Sequence, residues 1–313
     1  GHKQEVPRLN GRRRRLGMGL MFYPRGGSAQ VARYLSRALV ESGWEVVLAS
    51  GSLGSPGEQT HAATFFEGLH VEVADYTPAF ERFGRGEDQL VGPVPFHGSF
   101  EDREGAPDPV FAALGLEQAE AQVSAWEGVF ERAGFGHGDV IHLHHLTPMH
   151  EAAARLWPER ALVTHLHGTE LKMLDRVGRL DAVAVALDTG LDRLAAAVES
   201  GEVPPDCRLP ETERELLRGT NLSRYRYGKD WASRLEVSAR HSRRIICVSP
   251  HDASEAVRLL GVPDDLIEVI PNGVDTDLFD RSALTRDERL KLLRHWLVDD
   301  PQGWDESGLL GSI

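Results

Sequence analysis

The chain has 313 residues, 41% hydrophobic and 27% charged, with a formal net charge of −13. That is enough chain for one large α/β core or two ordinary ones, and so acidic a balance argues against nucleic acid as the main partner. Two cysteines, Cys207 and Cys247, do not make a disulfide framework and suit a reducing cytoplasm, and no apolar run approaches the roughly 18 residues that a transmembrane helix needs.

Residues 1–15 read as a basic tail ending in Arg12 to Arg15, solvated rather than bound. The apolar LGMGLMFY after it runs into Pro24-Arg25-Gly26-Gly27, with no small-residue cleavage pattern, so Leu16 to Tyr23 is a first strand and not a leader. A helix follows: Val31, Tyr34, Leu35, Ala38 and Leu39 recur at helical spacing, with Ser28 as N-cap and Gly43 just past the end. Trp44 to Ser50 is the second strand, which makes 16–50 a βαβ unit. The turn Gly26-Gly27-Ser28 lets backbone approach a ligand and offers helix-start N–H groups to an anion. It lacks the three spaced glycines of a dinucleotide fingerprint, so a plain tight turn is an equal reading.

Residues 51–60 form a loop, and Leu69 to Tyr76 is a third strand. From Thr77 to Pro109 the chain shows little periodicity, which suggests a binding loop, a lid or disorder. Leu116 to Ala133 is a helix. The stretch 139–170 then reads as strand, loop, helix, strand, loop, and both strands close on the same triplet, His142-Leu143-His144 and His165-Leu166-His167. In a parallel sheet the carboxyl ends of such strands open on one crevice. Residues 171–242 are mainly helical, with helices over 180–199, 211–218 and 229–241. Arg243 to Val248 is a strand, Ser249 caps a helix over 251–260, Gly261 ends it, and Leu266 to Ile270 is the last strand, running into PNGVDTDLF. A further helix spans 284–297. About seven strands with intervening helices predict a doubly wound, mostly parallel sheet.

Three readings compete for the histidines. As a metal site, His142, His144, His145, His150, His165 and His167 offer His-x-His pairs but lack the usual carboxylate, so no metal is assigned. As core, His142 and His165 sit one residue inside their strand ends. As ligand-facing groups, His144 and His167 close their strands and face the crevice with His145, Thr169 and Glu170.

Four segments in order resemble the nucleotide-sugar-dependent retaining glycosyltransferases of the glycogen-synthase-like group, family four, with the GT-B fold. They are PRGGSAQVARYLSRALVESGWEVVLAS, DVIHLHHLTP, THLHGTEL and RRIICVSPHDASEAVRLLGVPDDLIEVIPNGVDTDLF. The THLHGTEL segment is also similar to the HGTD form of the enzymes that glycosylate malate for bacillithiol synthesis. The resemblance implies that residues 16–280 are the Rossmann-like, acceptor-side half of such an enzyme. It further implies that 281–313 is a linker or the start of a missing donor-binding domain, so that the chain alone is inactive. Gly26, Gly27 and Ser28 would lie by the donor phosphates and sugar, with His167 as the catalytic residue aimed at donor sugar and acceptor. His144, His145, Thr169 and Glu170 would face the acceptor, and Asn272, Gly273 and Asp275 would form the interdomain turn. Ala29 stands where many relatives carry another glycine. The implied reaction transfers a hexose from a nucleotide diphosphate sugar to an acceptor hydroxyl, with retention and without a cofactor. A metal-dependent hydrolase and a non-catalytic sugar-binding domain are the alternatives.

Overall fold

In the computed structural model, which describes residues 8–9, 12–91, 95–202, 209–276 and 284–299, strands that are buried almost continuously at the centre of the sheet alternate with amphipathic helices. Within the predicted basic tail, β1 (Arg8–Leu9) and β2 (Arg12–Arg13) pair antiparallel. Arg14 lies over the Trp44 ring and Arg15 bonds Glu45 at 2.6 Å, so the end of that tail is anchored rather than free. Seven parallel strands then build one sheet: β3 (Arg15–Leu20), β4 (Glu45–Ser52), β5 (His70–Asp75), β6 (Val140–His144), β7 (Ala161–Leu166), β8 (Arg244–Cys247) and β9 (Ile267–Val269). Their spatial order is β5-β4-β3-β6-β7-β8-β9. This is the doubly wound sheet expected from the sequence.

Helices α1 (Gly26–Glu41) and α2 (Ala62–Phe65) cover one face of β3 and β4, packing Ala29, Ala32 and Phe65 on Leu16, Met18, Leu20 and Leu48. The other face carries the larger core. There α4 (Leu116–Ala133), α5 (Pro148–Leu156), α6 (Thr169–Ala186), α7 (Leu191–Glu199), α9 (Gly228–Arg240) and α10 (Pro250–Leu260) cover Ile141, Leu143, Leu162, Leu166, Ile245 and Cys247. Helices α3 (Thr77–Gly84) and α8 (Glu211–Arg218) lie on connections, and α11 (Arg286–Arg294) follows the last strand.

Three expectations are corrected. The segment 77–109 is not wholly irregular: it contains α3, and its loop residues 96–100 are all buried, with Phe96 and Phe100 in the core. The helix expected over 180–199 is two: α6 starts at Thr169, and Asp188, at φ 56, turns the chain before Gly190 starts α7. Ala- and Leu-rich periodicity on both sides hides the break from a sequence reading. Third, β3 stops at Leu20, because Phe22 and Tyr23 leave the ladder to pack around the loop described below. By contrast, Ser249 accepts a hydrogen bond from the Asp252 N–H at 3.1 Å and caps α10 as expected, and Gly261 closes that helix at φ 59.

Candidate functional site

Strand order reverses between β3 and β6, the switch point at which a doubly wound sheet leaves a crevice beyond its carboxyl ends. From β3 the chain enters this crevice at Gly26 and Gly27. Both are exposed, Gly26 has φ +67, and a Cβ added to either would meet nothing within 4 Å. The helix starts here and not after Ser28. Arg25 is the N-cap in extended conformation, Ser28 lies within the first turn, and no side chain caps the end. The reason is that Gly26 supplies the left-handed turn a Ser N-cap would otherwise follow. The first turn holds no acidic residue, which leaves its N–H groups and the positive end of α1 facing the crevice.

Register decides where the histidines go. His142 pairs with Met18 and His144 with both Leu20 and His165. Alternation then puts His142, His144 and His165 on the α1 side of the sheet, while Ile141, Leu143 and Leu166 fill the opposite core. The rings form a ladder: His142 on His144 at 5.0 Å, His144 on His165 at 4.9 Å, His165 on His167 at 4.6 Å. His142 and His165 are core residues as expected, at 6% and 5% exposure. His144 differs from expectation. It is fully buried, because its ring turns sideways onto Met18 and His167 rather than forward into the crevice. Of these four, only His167, beyond the end of β7, keeps some exposure, and it too is mostly buried.

Burial keeps this ladder neutral. It pushes His142 down to about 3 and His165 to about 4, and His144 and His167 well below the ordinary imidazole value, with the neighbouring rings adding to the effect. The tautomers follow. The Met18 sulfur 3.1 Å from His144 Nε2 only accepts, so that nitrogen carries the proton. His144 Nδ1 then accepts from His167 Nε2–H at 2.9 Å, and His167 is left with a lone pair on Nδ1. His150 is satisfied elsewhere: its Nδ1 accepts from the Thr147 N–H at 3.3 Å and its Nε2 donates to Thr164 at 2.9 Å.

His145 leaves β6 at φ 63, an uncommon backbone state for a non-glycine residue, with its N–H on the His165 carbonyl at 2.8 Å. The turn swings its ring onto Phe22, His167 and the carboxylate of Glu170. Glu170, in the first turn of α6, is fully buried. Burial alone would raise its carboxyl, but His145 and the N–H groups of Glu170 and His167 pull it below its ordinary value. It is therefore ionised and can only accept, so His145 Nδ1–H donates to it at 3.2 Å and buried His145 Nε2 has no partner. Thr169 Oγ1 lies 3.4 Å from the same carboxylate. Glu170 thus sits behind His145 and His167 and does not line the crevice.

Residues that sequence reasoning passed over complete the edge. The 95–115 connection brings His97, Phe100, Arg103 and Asp108 to the β3–α1 turn. Arg25 donates to Tyr23 Oη at 2.7 Å and to Asp108 at 2.9 Å, and Arg103 donates to the same Asp108 oxygen. Burial would raise the Asp108 carboxyl, but the Arg25 guanidinium bonded to it holds it well below the usual carboxylate range. His97 is fully buried, pushed down to about 4 chiefly by that burial, and its Nδ1 is 3.7 Å from Asp108, too far for a hydrogen bond. No periodicity links positions 25, 97, 103 and 108, so no sequence signal pointed to them.

Asn272, Gly273 and Asp275 follow the edge strand β9, two strands from β7; Asn272 and Gly273 are exposed. A metal would find His142, His144 and His165 with nitrogens all within 4.8 Å of one another. Those rings stack within 13° to 31° of parallel and include no carboxylate, so their lone pairs run side by side instead of converging tetrahedrally. No described helix is long and apolar enough to cross a membrane.

No curated protein matches the chain in sequence. Among solved structures, a glycosyltransferase from Rickettsia africae is 13% identical with a TM-score of 0.37, over 93% of this chain and 51% of that one. MurG from Acinetobacter baumannii is 13% identical with a TM-score of 0.29, over 91% of this chain and 90% of its own. The chain thus spans about half the length of the Rickettsia africae enzyme. The model of Glycosyltransferase Family 4 matches residues 25–278, most of the chain, from the β3–α1 turn to the segment after β9, and the chain belongs to that family.

Proposed function

We propose that this chain forms the acceptor side of a retaining glycosyltransferase that moves a hexose from a nucleotide diphosphate sugar to an acceptor hydroxyl. What supports this reading is the topology: the exposed Gly26-Gly27 turn and uncapped start of α1 follow β3, and partly buried His167 follows β7, both at the carboxyl edge of the sheet by its switch point. In this reading the backbone N–H groups of the turn and the positive end of α1 hold donor phosphate oxygens and stabilise charge on the leaving group. The neutral His167 uses its Nδ1 lone pair to accept a hydrogen bond from a sugar or acceptor hydroxyl, and so orients it. His144 and Glu170, assigned by resemblance to the acceptor, act instead as positioning residues: His144 fixes the His167 tautomer, and Glu170 holds His145 in place. Asn272, Gly273 and Asp275 lead towards a donor-binding domain that supplies the nucleotide site.

The test is nucleotide release from UDP-, GDP- and ADP-hexoses by the enzyme containing this chain, with and without His167→Ala. The variant is expected to lower kcat by about a hundredfold, the scale of one positioned polar group, and a thermal melt alongside separates this from lost stability, since His144 loses its hydrogen-bond donor. Wild-type kcat in the variant would remove His167 from the chemistry. Turnover that requires a stoichiometric bound metal would favour the hydrolase reading instead.

A further inference from the structure

The carboxyl edge of β8 carries a carboxylate that packing and capping do not use up. β8 pairs with β7, so α10 starts one strand along from the turn that holds His167. Asp252 lies in the first turn of α10 and is half-buried. It stands against that turn: a Cβ built on Gly168, the residue after His167, would be 3.3 Å from Asp252 Oδ1. Gly168 has φ +91 and no side chain, so it leaves this oxygen bare.

The helix cap engages only the other oxygen. Ser249 accepts from the Asp252 N–H at 3.1 Å and donates its hydroxyl to Asp252 Oδ2 at 2.8 Å. In a capping box the acid would also reach back to the N–H of the cap residue. Glu288 does so in α11, accepting from the Thr285 N–H at 2.8 Å, but α10 has no such box. Among the described residues Asp252 Oδ1 has no hydrogen-bond partner and the carboxylate no ion pair, whereas Glu255 on the same helix and Asp175 on α6 both bind Arg258.

The two groups at this turn, the Nδ1 lone pair of His167 and Asp252 Oδ1, both accept hydrogen bonds. They suit a molecule that presents hydroxyl hydrogens at neighbouring positions, and an acid group here would meet a like charge. β8 is three strands from β3, about 14 Å at the usual strand spacing. Donor phosphates at the start of α1 are therefore too distant for the single hexose they carry to span the gap. We propose that Asp252 is a specificity-determining residue of the acceptor side: its Oδ1 accepts from a hydroxyl next to the one that His167 orients. This rests on the acceptor-side reading above.

The experiment is saturation-transfer NMR titration of the full chain, as wild type, Asp252→Ala and Asp252→Asn, with mannitol and methyl α-glucoside. Succinate, which offers no hydroxyl, serves as competitor. Saturable binding of at least one of the two polyhydroxy probes is expected, weakened about tenfold in Asp252→Ala. The loss is expected to be smaller in Asp252→Asn, which keeps an acceptor oxygen without the charge. Melting temperatures should stay close to wild type, because Ser249 caps α10 through the backbone N–H of residue 252. If Asp252→Ala fails to fold, Asp252→Asn decides by the same comparison. Absence of saturable binding of both probes, unchanged affinity in the variants, or displacement by succinate would each overturn the proposal. The readout needs no sugar transfer, so a wild-type kcat in His167→Ala would sink the transferase reading while leaving this titration to stand or fall separately.

Discussion

Acidification from pH 7.5 to 5.5 is expected to lower the melting temperature by on the order of 10 °C. The cause is the set of buried neutral imidazoles. His142 is pushed down to about 3, and His97, His150 and His165 to about 4, each from an ordinary value of 6.5 and each mainly by burial. A depressed imidazole takes up its proton in the unfolded chain first. Its contribution is therefore complete above the unfolded value of 6.5 and is lost as the pH falls towards the folded values. Each such group costs roughly 1.4 kcal/mol per pH unit in that window, so these four together cost about 5 kcal/mol at pH 5.5. A domain of this size loses roughly 2–4 °C per kcal/mol. Carboxylates do not explain a loss in this range. Glu170 and Asp108 are depressed from ordinary values of 4.5 and 3.8, so their contributions fade only below about pH 4.5. A melting temperature flat between pH 7.5 and 5.5 would show that these imidazoles are not buried and neutral as described.

Gly51→Ala is expected to destabilise the fold by about 3 kcal/mol, the upper range of overpacking, and to disturb the crevice with it. Gly51 lies on β4 beside Ala74 of β5. A Cβ there would stand 2.3 Å from Tyr76 Cε2, 2.4 Å from the Met21 carbonyl oxygen and 2.9 Å from the Tyr23 nitrogen. Two of these are backbone atoms of the segment that carries Arg25 and Gly26, so they cannot swing aside. Tyr76 cannot yield either: it is fully buried, and its hydroxyl donates to that same Met21 carbonyl at 2.6 Å. Gly27→Ala is the matched control, since its new methyl meets nothing within 4 Å. Thermal melts of the two variants should differ by about 5–10 °C; a Gly51→Ala protein melting within about 2 °C of wild type would contradict this packing.

Much of the architecture was legible because it is local. The 3.6-residue pattern of Val31, Tyr34, Leu35, Ala38 and Leu39, the cap at Ser249 and the stop at Gly261 depend on neighbours within a few residues, and α1, α10 and the seven strands follow from such signals. The twin His-x-His triplets marked β6 and β7 as strands closing on one edge, and the four matched segments carried the family. Local signals were silent or ambiguous elsewhere: continuous Leu and Ala periodicity concealed the turn at Asp188, and an aperiodic composition gave no sign that the loop residues 96–100 are buried.

What the sequence by itself determined is therefore the element order, the parallel sheet and the family. Tertiary structure decided which histidines meet the crevice. Register, not position in the triplet, buried His144 behind Met18, and the left-handed turn at His145 sent its ring to Glu170. The tertiary fold also assembled Arg25, His97, Arg103 and Asp108, separated by up to 83 residues, around one carboxylate. The physical reason is the same in each case. Periodicity fixes which side of its own strand or helix a residue takes, whereas burial, tautomer and charge balance depend on what the rest of the chain places opposite it.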